Sequence, residues 1–452
     1  MRFEKRNGAY DTHLKKLPRC ILLVVLMVRF RRARNEARKG KVMASYQKGL
    51  WSHHGPSGLA TLLFIVAIMG VLSACGSRAT RPSGAPSTPV QTIHTVYFTG
   101  QPTGQSGSVD ALRSENGSLR WHKQLDKQWS GTVSLLVFGD VVYVGRANEI
   151  CSPLCKTIGS VDALKVGDGT VLWHSNIDVH NDTSQSVQVK AIVNGVVYVE
   201  VDGGFPSHSA GDVYALRVSN GSLLWHDTVK GACCRSLVVT NTALYVGQLD
   251  NVDALKTSDG TVLWHRPIDS PSVLVGIAAV DGVVYVGTAL VDYSGPPKGA
   301  VDALRASDGT LIWHSQTNIA SSVLTVADGI VFVGAFLGST LDALRASDGS
   351  LLWQYQSDLS PWKATVLDGV AYLTSINVGY KDTGSRVDAL RVSDGSHLWH
   401  YHTDPGSLQV AVGDGMVYVG TLHGIVALDA NRGNQRWFHA ADNEVFALAV
   451  GP

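Results

Sequence analysis

The chain has 452 residues, 45% of them apolar and 17% charged, which places it among globular proteins and leaves room for one large domain or two or three ordinary ones. Its formal charge is only +1, yet residues 1–74 hold 14 Lys or Arg against three acids, leaving 24 basic and 34 acidic residues for the rest. A body so acidic has no basic stripe with which to neutralise phosphates, which argues against a nucleic-acid partner.

Residues 1–42 contain an apolar run from Cys20 to Val28 and a basic cluster from Arg29 to Lys41. They read as an extension ahead of a true start at Met43, or alternatively as a basic segment at a membrane surface. Leu59 to Leu72 is an uncharged apolar run of 14 residues, too short to cross a bilayer comfortably, and it leads into Ser73-Ala74-Cys75-Gly76. That ending resembles a bacterial lipobox. It implies cleavage between Ala74 and Cys75, diacylation of Cys75, and anchoring to the outer face of the cytoplasmic membrane or to the outer membrane. An uncleaved anchor helix is the alternative. Gly76 to Thr92, rich in Ser, Pro, Thr and Gly, has almost nothing to bury and reads as a flexible tether. The expected division is a leader over 1–74, a lipidated tether over 75–92 and a folded domain over 93–452.

Within that domain an eleven-residue stretch, Ala303 to Trp313, recurs so that its tryptophan appears as Trp121, Trp173, Trp225, Trp264, Trp313, Trp353, Trp399 and Trp437, 38 to 52 residues apart. Periods of this size belong to solenoids and propellers. Each copy follows a β-branched run such as Val283 to Gly287 and a further apolar run such as Val273 to Val280. The copy itself supplies two more strands, Val301 to Ala306 and Thr310 to Ser315, joined at Asp308-Gly309, a pair suited to a tight hairpin. Four short strands per repeat make a propeller blade, with strands A to D from the axis outward. The first blade starts with strand B at Thr95 to Thr99 and lacks an A, whereas Val445 to Val450 is an A without a successor. Pairing the two ends closes an all-β ring of eight antiparallel blades, which hides its own edges and is expected to be monomeric.

The eleven-residue pattern resembles the tryptophan-docking motif of quinoprotein-type β-propellers, matched best by Ala427, Asp429, Gly433 and Trp437. The resemblance implies that each tryptophan is wedged between blades and stacks on the neighbouring motif's peptide. Seven copies carry Arg or Lys third and Asp or Asn sixth, and the last reverses the signs with Asp429 facing Arg432, which predicts a charge contact bracing each hairpin. Six tryptophans are followed by His (His122, His174, His226, His265, His314, His400). One per blade on the outer strand, they read as structural or solvated imidazoles rather than metal ligands. The repeated Asp110, Asp162, Asp253, Asp302, Asp342 and Asp388 read as inter-blade bonding groups rather than a catalytic pair.

Antiparallel order puts the A–B and C–D turns at one end and the B–C and D–A connections at the other. The first end is uniform. The second carries long B–C loops, including Glu149 to Ser160, Asp202 to Asp212, Val291 to Gly299 and Asn377 to Arg386, and D–A loops containing Trp129 and Trp362. With Phe205, Tyr293 and Tyr380 these form an aromatic set suited to a protein, peptide or glycan. Loop packing is the alternative for each.

Cys151 and Cys155 share one loop and are candidates for a disulfide; Cys233 and Cys234 are adjacent, as a vicinal bridge or two thiols. Quinoprotein alcohol dehydrogenases set adjacent cysteines beside pyrroloquinoline quinone and calcium, so resemblance to them implies an enzyme with Cys233 and Cys234 as cofactor contacts. Those enzymes carry much larger insertions, and no calcium set of Glu, Asn and Asp or neighbouring base is evident here. Resemblance to BamB-like propeller lipoproteins instead implies a non-catalytic, cofactor-free scaffold, and this is the reading the sequence favours.

Overall fold

Short β-branched runs bounded by Gly and Asx turns pair into four-stranded antiparallel sheets, and eight such sheets build the domain in a computed structural model of the chain. The structure describes residues 94–452 except 101–105, 129–132, 152–154, 179–185, 202–209, 231–235, 249, 269–271, 291–297, 318, 320, 336–337, 377–383, 405–408 and 442–443. Blade five shows the plan: Ser272–Val280, Val283–Leu290, Gly299–Arg305 and Leu311–Thr317, each paired with the next. The A strands of successive blades touch in a closed cycle, so they encircle the axis and the D strands form the outer edges.

Closure occurs as the pattern predicts. Strand Val445–Gly451 pairs with Thr95–Gly100, so blade one takes its innermost strand from the end of the chain. The Tyr97 hydroxyl adds a bond to the Pro452 carbonyl at 2.9 Å. Apolar packing lies between blades rather than in one central core. One cluster joins Tyr97, Ala111 and Trp121 to Val142 and Leu164, and the closing one joins Val96, Phe98 and Leu112 to Tyr418, Ala427 and Trp437.

Each motif tryptophan bridges that packing to a hydrogen bond. Its indole N–H donates to the carbonyl of the fourth motif residue in the next blade, at 2.7–3.0 Å in all eight cases, from Trp121 onto Val166 round to Trp437 onto Ser114. The ring lies over the next motif's glycine: a Cβ on Gly221, at φ +69°, would sit 2.4 Å from Trp173. The strand B tyrosine is a further element of the joint. Tyr198, Tyr245, Tyr285 and Tyr372 donate to the same carbonyl as the tryptophan, with ring centroids 5.8–6.1 Å apart.

The two kinds of turn at the uniform end differ. Asn194, Asp281, Asp328, Asp368 and Asp414 all have φ of 50–54° and precede a positive-φ glycine, making two-residue A–B hairpins. The C–D turn is not the Asp-Gly hairpin expected: only Gly309 has positive φ, the Gly309 amide donates to the Arg305 carbonyl, and the register slips between Ala303 and Leu304. A bulge therefore accommodates the extra residues. The third and sixth residues do pair, as in Arg305–Asp308 at 3.3 Å and Arg345–Asp348 at 3.4 Å. In the last copy the partner is not the expected Arg432. Asp429 accepts the Arg432 backbone amide and pairs with the Arg436 side chain, which the strand brings back beside it.

These turn aspartates set a pH dependence. Asp168, Asp308, Asp348 and Asp394 accept the hydroxyl and amide of the Ser or Thr two residues on, and those bonds lower each carboxyl below its ordinary range. A folded-state pKa below the unfolded value of about 3.9 gives stability that is complete above that value and lost as pH falls through the folded pKa. The melting temperature should decline below about pH 4, and replacing Thr170, Thr310, Ser350 and Ser396 together by Ala should flatten the decline. An unchanged slope in thermal melts would refute this.

Candidate functional site

Strand direction gathers the B–C and D–A connections at one end, opposite the five Asx-Gly hairpins. In blade two the segment expected as a loop, Glu149 to Ser160, is instead a prolonged hairpin. Val141–Cys151 and Cys155–Lys165 pair over eleven residues each, where strand B has five to eight in the other blades. The residues past Arg146 lengthen it by roughly 15 Å at the rise of a strand. The ladder sets Cys151 directly opposite Cys155.

Trp362 is not in a D–A loop, as its sequence context suggested, but within strand A of blade seven, Ser360–Leu367. The register slips between Pro361 and Lys363, so Trp362 is a half-buried bulge residue on the strand nearest the axis, close to the loop-bearing end. Strand A has an unpaired side facing the axis, which tolerates the missing amide of Pro361. Lys363 follows it; its side chain still meets solvent in part, but the crowd of surrounding atoms strips water from the ammonium and lowers its pKa. In blade three the corresponding bulge falls at Lys190, which lies 2.8 Å from Glu200, with side chains 3% and 1% exposed. A buried pair of this kind is costly to break from one side. Glu444, leading into the closing strand, has its carboxyl pKa raised by burial. Trp129, Phe205, Tyr293, Tyr380, Cys75, Cys233 and Cys234 lie outside the described residues.

The repeated aspartates mostly bond within their own blade rather than between blades. Asp110, Asp162, Asp253 and Asp302 each accept Nδ1 of the histidine opposite on strand D (His122, His174, His265, His314) at 2.6–2.7 Å, because the register makes them cross-strand neighbours. Blade six uses Gln354 on Asp342 at 2.6 Å. Blade three departs from the pattern: His226 stacks on Tyr214 at 4.3 Å and reaches Asp212 at 3.1 Å. The second oxygen takes another donor, Arg146 on Asp162 at 2.7 Å and Gln248 on Asp253 at 2.7 Å. These cross-strand bonds brace the outer ladder of each blade. The sequence also gave no hint that the D strands expose apolar pairs near the C–D turns, such as Leu223–Leu224 and Val262–Leu263, between 39% and 60% exposed.

Among the described residues one group of three metal-ligating side chains converges, and it lies on the outer edge of blade seven rather than near the axis. Cys233 and Cys234, the residues that would contact a quinone, lie outside the described residues.

A family model described as outer membrane protein assembly factor BamB matches residues 72–243, 157–317 and 249–445. Among solved structures, BamB from Moraxella catarrhalis is 17% identical over 74% of this chain and 91% of its own, with a TM-score of 0.48. A quinohemoprotein alcohol dehydrogenase from Pseudomonas putida is 14% identical over 74% and 69%, with a TM-score of 0.51. AztD from Citrobacter koseri is 11% identical over 79% and 98%, also at 0.51. The two structures with TM-scores of 0.51 show, at these identities, a shared fold alone. No curated protein matches the sequence.

Proposed function

Because the chain belongs to the family of outer membrane protein assembly factor BamB, we propose that it is a lipid-anchored scaffold outside the cytoplasm. In this reading it binds a protein, peptide or glycan on the end of the ring where the B–C and D–A connections gather. The observation that carries the reading is the inequality of the two ends. One is closed by two-residue hairpins at Asn194, Asp281, Asp328, Asp368 and Asp414, while the other bears the eleven-residue hairpin arms of blade two and the Trp362 bulge. Variation confined to one end of a repeat architecture is where partners bind. Cys75 is the proposed lipid attachment, with 76–92 as the tether.

The test uses the full chain in detergent. Binding energy concentrates in a few aromatic anchors, so Trp129→Ala or Trp362→Ala should weaken an envelope ligand by roughly 2 kcal/mol, about 30-fold in Kd. Asp281→Ala, at the opposite end, should change stability and leave affinity alone. In the same cells Cys75→Ser should move the protein out of the membrane fraction. Stoichiometric uptake of pyrroloquinoline quinone with calcium, coupled to dye reduction by an alcohol or sugar, would overturn the scaffold reading in favour of a dehydrogenase.

A further inference from the structure

Blade seven breaks the carboxylate–histidine pattern of the ring. Asp388 and His400 are cross-strand partners like Asp302 and His314, yet His400 does not make the 2.6–2.7 Å bond found in blades one, two, four and five. The carboxylate is held from behind instead. Arg386 Nε donates to Asp388 Oδ2 at 2.9 Å, and Arg386 is itself fixed by Ser357 at 3.1 Å. Asp388 Oδ1 has only long contacts, 3.3 Å from the Tyr355 hydroxyl of blade six and 3.4 Å from His397 Nε2.

His397 is the second departure. It occupies the ninth motif place, which is Leu or Val in the first six blades (Leu119, Val171, Leu223, Val262, Leu311, Leu351) and Gln435 in the last. The C–D register slip between Ala389 and Leu390 brings it to the same side of strand D as His400, and the two rings are 5.4 Å apart. Tyr355 stacks on His397 at 6.2 Å and 10°, fixing that imidazole. One carboxylate oxygen and one nitrogen from each imidazole thus lie within 4.8 Å of one another.

We propose that Asp388, His397 and His400 form a binding site for a zinc-class divalent ion on the outer edge of blade seven. Two imidazoles and a carboxylate suit zinc and its borderline neighbours, not calcium or magnesium, which take oxygen ligands. The buried Asp388 forms the floor of the site and the exposed histidines its open side, so an ion can enter from solvent. Arg386 and Tyr355 play the orienting part that outer partners of metal ligands commonly play. A fourth position is left for water or for His402, whose ring is 5.1 Å from that of His400.

The experiment titrates the metal-free full chain in detergent with Zn²⁺ against a chromophoric chelator. The expected result is one ion per chain at this site and a rise in melting temperature on saturation. His397→Leu restores the aliphatic residue type of the first six blades, which suits the fold; it should weaken binding at least about tenfold, as should His400→Ala. His314→Ala, in an intact Asp–His pair, should leave the affinity unchanged. Absence of saturable binding, full retention in His397→Leu, or equal loss in His314→Ala would each overturn the proposal.

Discussion

Deletion of Val445–Pro452 is expected to abolish cooperative melting of the ring. The segment is strand A of blade one, and its removal strips the ladder from Thr95–Gly100 along its whole length. It also uncovers the A strands Val133–Phe138 and Gln409–Gly413, both of which pack on it. Val445 and Ala447 are buried, Leu448 and Val450 join the cluster between blades eight and one, and Gly451 approaches Val137 so closely that a Cβ would lie 2.5 Å away. Losing a large buried side chain costs about 2–5 kcal/mol, against a total stability of about 5–15 kcal/mol, so several such losses exceed what a domain holds in reserve. Calorimetry should show a broad, low-enthalpy transition, with dye binding to the opened blade edges. The synthetic segment Asn443–Pro452 added in trans should restore part of the transition. A truncated chain melting sharply within a few degrees of the parent would mean that the ring does not depend on this closure.

The ring was legible in the sequence because its joints demand particular residue types. Only an indole combines a large flat face with one N–H donor, and only glycine lets that face lie on the next turn, so Trp173 and Gly221 recur together in every blade. Pairing of the chain ends followed from counting strands, which needs no distances. Register was harder to read. Whether Glu149 to Ser160 forms a loop or a hairpin depends on cross-strand pairing that its mixed composition does not encode, and Pro361 disguised strand A of blade seven as a loop. Asp110 and His122 twelve residues apart could have been paired in advance, since the hairpin register makes them opposite each other. The irregularity of blade seven was visible only as a histidine in an apolar place, a signal that gains meaning once Asp388 lies behind it. Most of the candidate ligand-face residues fall outside the described residues, so the aromatic set is represented here by Trp362 alone.

The inter-blade joint should show strong coupling between Trp399 and Gly433. Trp399 is 7% exposed, donates to the Ala430 carbonyl at 2.9 Å, and packs on Tyr372 with ring centroids 5.9 Å apart. Trp399→Ala opens a cavity between blades seven and eight and removes the principal donor to that carbonyl, at a cost of about 3–5 kcal/mol. Gly433→Ala has two separable penalties. The backbone sits at φ +70°, which costs a residue with a Cβ roughly 1–2 kcal/mol, and the new methyl would lie 2.6 Å from Trp399 Cδ2 and Cε3. The second penalty exists only while the indole is present. In the double variant Gly433→Ala should therefore cost no more than the backbone strain, and the two changes should fall short of additivity by at least about 1 kcal/mol. Chemical denaturation of the four chains in the cycle measures this directly. Additivity within about 0.5 kcal/mol would show that the glycine is required for its backbone conformation alone and not for the tryptophan of the neighbouring blade.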